Sequence, residues 1–437
     1  MSRKLKILAS SALAIPGMSA NVLAAGPAES EASYRYTFYQ EDASDVARDD
    51  SNTSNPRYNI QVHQFHVLHP IDQHLAVNAE VSYEYMAGAS AAASYIEAGE
   101  DEVSTHYSGA SKEKRFDATT SARYYFSEAD VGAGAYLSKE RDYFALSSNV
   151  DGSMQFNNQM TTVSGGISAG YDWLNPNSGV KNSKGETIDI GDLTAAEKAT
   201  VSPGRLAGYK QNKWQVSVFE GIGQIIDMNT VVQAAVSFTY KNGYLSDPYR
   251  DICDYAENVP CDIRPSSRAA GTLALGGRKY FPQYDAYVHA DYRLYLDTWD
   301  VASHTLDFDV YKTFAPDIKF LTDNNITFQV APGIRYYQQK SAYFYEVPNL
   351  GDFPGGKAYD VNTTEYYSSD PRLSWYGALG LKTRLKITYK QFALVGLVER
   401  YAGNPAYGFN FSDNPAIGEV PGLPAYWRFT TGLDFKF

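Results

Sequence analysis

The chain ends on a run that alternates with period two. Trp427, Phe429, Leu433, Phe435 and Phe437 fall on one side, and Arg428, Thr430, Asp434 and Lys436 on the other. A helix would spread these side chains around its circumference, whereas a strand sorts them onto two faces. An alternating last strand that ends in Phe resembles the C-terminal signal read by the bacterial barrel-assembly machinery. That machinery is therefore an expected partner, with Phe435 and Phe437 as the assembly signal.

The same alternation recurs upstream. Between His74 and Tyr85, Leu75, Val77, Ala79, Val81, Tyr83 and Tyr85 oppose His74, Asn78, Glu80, Ser82 and Glu84. Val232, Ala234, Val236, Phe238 and Tyr240 oppose Gln233, Ser237, Thr239 and Lys241, and Val288, Tyr292, Leu294 and Leu296 oppose Asp285, His289, Asp291 and Arg293. The pattern predicts about sixteen strands, near 33–41, 57–68, 74–86, 112–126, 131–140, 143–156, 160–173, 212–223, 229–242, 267–280, 284–296, 302–314, 324–340, 371–386, 388–401 and 424–437. An even count brings both termini to one side, and the connections divide into short turns at one end and long polar loops at the other. The predicted fold is an all-β transmembrane antiparallel up-and-down barrel. No internal repeat of 40–50 residues marks a propeller.

Two features of composition agree. Mean hydropathy is −0.38, and no segment beyond the N-terminus offers some 18 consecutive apolar residues, which excludes helical spans. Yet the chain carries 36 Tyr and 21 Phe. Aromatic richness with low mean hydropathy suits strands in which every second residue meets lipid.

The N-terminus predicts export. Arg3, Lys4 and Lys6 precede a short apolar stretch, Ile7 to Ala20, and Val22-Leu23-Ala24 supplies small residues for cleavage. This reads as a signal peptide over 1–24, with the barrel over 25–437, in the bacterial outer membrane. The net charge is −12; removing three positive residues takes it to −15, which argues against nucleic acid as a partner.

A set of segments carries a family resemblance: Met86-Ala-Gly-Ala-Ser90, Gly243-Tyr-Leu-Ser-Asp-Pro-Tyr-Arg250, Arg264-Pro-Ser-Ser-Arg268, Phe281-Pro-Gln-Tyr-Asp285, Asp291-Tyr-Arg293, Ser303-His-Thr-Leu306, Ile334-Arg-Tyr-Tyr-Gln-Gln339 and Ser368-Ser-Asp-Pro-Arg-Leu-Ser374. In order and spacing they resemble the outer-membrane barrel group catalogued as domain-of-unknown-function family 3570. The resemblance implies location and fold, and no activity or cofactor. Its members' gene neighbourhoods point to an envelope lipoprotein or redox partner.

Candidate functional residues follow from the faces. Glu80, Glu84, Arg268, Arg278, His289, Asp291, Arg293 and Arg335 are expected to face the lumen, with the arginines as a basic wall opposite an acidic one. His289 and Asp291 could belong to a triad, but one strand sets them about 6.5–7 Å apart, and no Gly-x-Ser-x-Gly elbow exists. No catalytic role is assigned. His63, His66, His69 and His74 cluster in sequence, but His63 and His66 point to opposite faces of a strand, so no metal site is assigned. Cys253 and Cys261, the only cysteines, share one long loop and are expected to form a disulfide in an oxidising compartment. The acidic stretches Asp42 to Asp50 and Glu97 to Glu102 read as solvated charge; divalent ions could tie them to lipopolysaccharide phosphates. Outer-membrane lipid and lipopolysaccharide are the expected surroundings. The expected function is a channel or transporter for small polar solutes. A non-conducting scaffold for an envelope partner is the alternative, and a barrel-embedded enzyme the third.

Overall fold

In a computed structural model, residues 26–42, 57–88, 91–96, 99, 103–107, 111–175, 180–181, 187–188, 194, 196, 211–247, 262–316, 318–347, 366–409 and 422–437 are described. Sixteen antiparallel strands close into one barrel in which each pairs with its sequence neighbours. They are β1 (Glu31–Glu41), β2 (Asn59–Pro70), β3 (Leu75–Gly88), β4 (Ser111–Tyr125), β5 (Ala129–Lys139), β6 (Tyr143–Phe156), β7 (Thr161–Leu174) and β8 (Gln211–Asp227), followed by β9 (Thr230–Gly243), β10 (Ser267–Phe281), β11 (Ala286–Asp297), β12 (Ala302–Phe314), β13 (Thr327–Gln339), β14 (Tyr376–Tyr389), β15 (Phe392–Asn404) and β16 (Ala425–Lys436). β1 pairs with β16 from Glu31↔Lys436 to Glu41↔Tyr426. The seam continues past the strands: Ser30 and Phe437 each donate a backbone hydrogen bond to the other's carbonyl, at 2.9 and 3.0 Å.

The outer face is apolar because alternate residues have nothing but the bilayer to pack against. Val81, Leu146, Val218, Val236, Phe308 and Leu394 all stand exposed on it. A soluble protein does not leave so continuous an apolar surface open to water; a transmembrane barrel requires it. Aromatic girdles border the band. Phe144, Tyr171 and Trp173 pack together near the long-loop end, while Tyr124 and Phe126 meet near the short-turn end, as do Phe392 and Phe435. On β6, Phe144 and Phe156 are separated by twelve residues, roughly 25–30 Å of membrane normal once strand tilt is included.

Two strand positions differ from the sequence-based reading. The stretch 371–386 begins as a 3-10 turn, Pro371–Leu373, because Pro371 has no N–H to give a ladder and the Asp370 side chain accepts from the Arg372 N–H. β14 therefore starts at Tyr376 and β15 at Phe392. The turn between them places Lys390 at φ 51°, with no Gly or Asn to announce it. The connection between β12 and β13 also holds a helical turn, α1 (Lys319–Asp323). By contrast, the turn at Asn157 and Asn158 has φ of 52° and 54°, a conformation that asparagine tolerates. Residues 1–25, with the expected signal peptide, and Cys253 and Cys261 lie outside the described residues.

Candidate functional site

The lumen wall of β10–β14 gathers the densest set of charges. Each comes from the inward-facing half of its strand. Arg278 on β10 donates to Asp291 on β11 at 2.7 Å. Arg335 on β13 donates through Nε to both oxygens of Asp307 on β12, at 3.0 and 3.1 Å. Lys382 on β14 reaches back two strands to Asp307 at 2.9 Å and Asp309 at 3.2 Å. Arg384 lies 3.4 Å from Asp309 and donates to the Tyr311 hydroxyl at 2.7 Å. His289 is buried with its ring 4.4 Å from that of Tyr311.

That two-strand reach depends on a missing side chain. Asp309, Gly333 and Lys382 are aligned across β12, β13 and β14. A Cβ at position 333 would overlap the Asp309 carboxylate and stand 2.7 Å from Cε of Lys382. Glycine leaves the gap through which the two side chains meet. The same device recurs at Gly132, over which the Arg123 guanidinium passes to Asp151.

These groups line a cavity of about 590 Å³, together with Arg293, Thr305, Tyr337, Tyr401 and Tyr426. The tyrosines stand on the long-loop side of the charges. Tyr401 stacks on Tyr426 with centroids 5.2 Å apart, Tyr426 meets Tyr39 at 4.7 Å, and Tyr337 meets Tyr376 at 5.6 Å.

The structure places the sequence-derived residues as follows. Arg278, His289, Asp291, Arg293 and Arg335 meet at this cavity. Arg268 stands nearer the rim, bonded to Asp297 at 2.8 Å and lying over the Trp299 ring at 4.2 Å. Glu80 and Glu84 project from the inward half of β3, and Glu84 takes Arg115 at 2.9 Å, which also holds Asp117. The arginines expected as a basic wall opposite Glu80 and Glu84 thus have carboxylates interleaved among them. Cations and carboxylates are paired between strands on both sides, as in Arg278 with Asp291, Arg335 with Asp307 and Arg115 with Glu84, because unpaired charge on a half-buried wall is costly. His63 bonds the Tyr34 hydroxyl, His69 the Ser30 hydroxyl, and His74 the Tyr125 carbonyl, so these three rings are held at different places. Sequence reasoning missed Asp307, Asp309, Lys382, Arg384 and Gly333. The first four sit on the polar half of alternating runs, but pairing across three strands is readable only from the register.

Sequence reasoning also missed a cap at the long-loop end. Residues 366–374 receive contacts from around the rim. Ser94, in a hairpin after β3, donates its N–H to the Ser369 carbonyl at 2.8 Å. Ile263, before β10, forms a two-way bridge with Tyr367. Arg264 bonds Asp370 at 2.9 Å and Asp262 at 2.9 Å, and Arg372 reaches Asp370 and Asp247. Gln339 at the end of β13 donates to the carbonyls of Arg372 and Ser374. Beneath them Trp299, Val301, Ala342, Phe344 and Leu373 form an apolar core. The hairpin after β3 and the stretch before β10, whose strands lie seven apart in the barrel, thus both meet residues 366–374. Asp247, Arg264, Asp370 and Arg372 come from three of the segments that carried the family resemblance, and these three meet in the cap.

A family model described as "Protein of unknown function (DUF3570)" matches residues 5–413. No curated protein sequence matches the chain. Among solved structures, the chain is similar to a bacterial polysaccharide outer membrane secretin, at 8% identity over 93% of this chain and 98% of that one, with a TM-score of 0.44. It is similar to CdiB from Acinetobacter baumannii, at 8% identity over 93% of this chain and 60% of that one, TM-score 0.44. It is also similar to OccAB4 from Acinetobacter baumannii, at 9% identity over 94% and 97%, TM-score 0.37.

Proposed function

This chain belongs to the family described as protein of unknown function DUF3570, and on that premise we propose that it is a capped channel of the bacterial outer membrane for small polar solutes. The observation that carries the reading is the lumen: a cavity of about 590 Å³ lined by ionised and hydroxylated side chains inside a barrel whose outer face is apolar. Barrels of eight strands are filled by their own side chains; those near sixteen leave an aqueous path unless something plugs it. An apolar exterior between two aromatic girdles suits the outer membrane, where closed barrels are the spanning form. Transport needs no catalytic group, and none is assigned.

The cap favours a second reading, a non-conducting scaffold for an envelope partner such as a lipoprotein or redox protein. Conductance of the purified barrel in a planar bilayer separates the two. The channel reading expects stepwise currents in the wild type. It also expects larger or more frequent openings for Asp370→Asn, which weakens the bonds to Arg264 and Arg372. Silence in both proteins would leave the scaffold. Outer-membrane residence is checked by fractionation on a density gradient; recovery with inner membrane would overturn it.

A further inference from the structure

The chain as a whole is acidic, yet the charges at the cavity are layered with their positive ends forward. Arg335 is 39% exposed while its partner Asp307 is 15% exposed. Arg384 is 40% exposed against 7% for Asp309. On the adjoining β15–β16 wall, Arg428 is 40% exposed against 1% for Glu399. The carboxylates thus sit in the wall and the guanidinium groups face the water. Arg293 adds a half-buried cation to the same cavity, with no ion pair among the described residues. The Arg278–Asp291 pair runs the other way, with the arginine buried, and Lys382 is likewise buried against Asp307 and Asp309; the cations that reach the water are the guanidinium groups of Arg335, Arg384 and Arg293.

We propose that this cavity selects small organic oxyanions, recognising a carboxylate or phosphate through Arg293, Arg335 and Arg384. This rests on the channel reading and names its solute class. A guanidinium presents a planar fork of donors matched to two oxygens of such groups. Arg335 and Arg384 are held in place by the acids behind them, so their outward N–H groups are pre-oriented. A solute anion nearer to these donors than to the buried acids meets net attraction, and the low-dielectric barrel wall strengthens that field. Tyr337, Tyr401 and Tyr426 border the same space and offer ring faces and hydroxyls to the solute's carbon skeleton.

The test uses the full mature barrel in a planar bilayer under a potassium chloride gradient. Three blocking probes are added separately: succinate, inorganic phosphate and glucose. The expected result is a reversal potential on the chloride side, with block by succinate and phosphate and none by glucose. Block by phosphate alone would place the recognition in the oxyanion with no part for a skeleton, against the organic class. Arg293→Gln should lower the chloride-to-potassium permeability ratio, and Arg335→Gln with Arg384→Gln should lower it further, by at least about twofold. Because those two arginines neutralise buried acids, Arg335→Lys with Arg384→Lys serves as the folded control that keeps anion preference. Cation preference in the wild type, or glucose blocking as well as succinate, overturns the proposal and leaves the channel. If no current flows, calorimetric titration of succinate into the detergent-solubilised barrel decides. Binding lost in the Arg→Gln pair upholds the anion site although the channel reading falls; no binding overturns both.

Discussion

Replacing Gly333 with alanine tests whether the lumen charges are bridged through a backbone gap. The added Cβ would take the space of the Asp309 carboxylate and press on Cε of Lys382. Lys382 is buried with two acids, Asp307 and Asp309, and Arg335 already shares Asp307. Moving Asp309 aside removes one charged contact from Lys382, about 1.5–3 kcal/mol by general measure. Overpacking costs a similar amount, about 1–3 kcal/mol, and the two describe one displacement, so they are not summed. Alanine returns about 0.4–1 kcal/mol by restricting the unfolded chain. The net expectation is a loss of about 1–2 kcal/mol. Gly271→Ala is the control, because a Cβ there meets nothing within 4 Å; it should be neutral or slightly stabilising. Urea unfolding in lipid vesicles, followed by tryptophan fluorescence, gives both numbers. The decisive comparison repeats Gly333→Ala in an Asp309→Ser background, where the carboxylate collision is gone and only the flexible Lys382 stem remains in the way, so the loss should shrink. An equal loss with and without Asp309 would refute the bridging argument.

Other expectations concern facing, protonation and the loops. Val236 meets lipid while Ser237 faces inward, so Val236→Arg should cost about 2–4 kcal/mol and Ser237→Arg much less; reversed losses would mean the register is off by one. At the β5–β6 loop, burial pushes the Glu140 carboxyl up to about 7; Arg115 opposes the shift, and Asp142 and Glu113 add to it. A folded pKa above the unfolded one means no penalty below about pH 4, a penalty that grows between about 4.5 and 7, and a constant one above. Glu140→Gln should therefore leave stability unchanged at pH 4 and raise it at pH 8.5, by about 1–2 kcal/mol once solvent screening of this partly exposed carboxyl is allowed for; urea midpoints that differ equally at the two pH values would count against this. Cys253 and Cys261 should be joined in protein recovered from cells, and non-reducing mass spectrometry that finds both thiols free would sink that expectation.

What the sequence revealed and what it hid divide along physical lines. Period-two alternation is a local property, so β3 could be read from Val81, Ser82 and Tyr83 alone, and the strand count follows from repeating that reading. Strand ends were blurred where turns use ordinary residues, as at Lys390, or where Asp370 and Pro371 begin a loop inside an alternating run. The facing of Arg335 was legible; its partner was not, because Asp307 lies 28 positions earlier and meets it only through register. The cap has no period at all. Its residues are held by bonds such as Arg264 to Asp370, 106 positions apart, and only the family resemblance of their segments marked them.

The seam between Ser30 and Phe437 gives the fold a direction in time. Before β1 and β16 meet, the last strand offers one open row of backbone donors and acceptors; afterwards that row is occupied by the chain's own first strand. Any factor that grips this strand by lengthening its sheet must let go for the ring to shut. In the closed ring that row has no backbone group left to pair with a further strand.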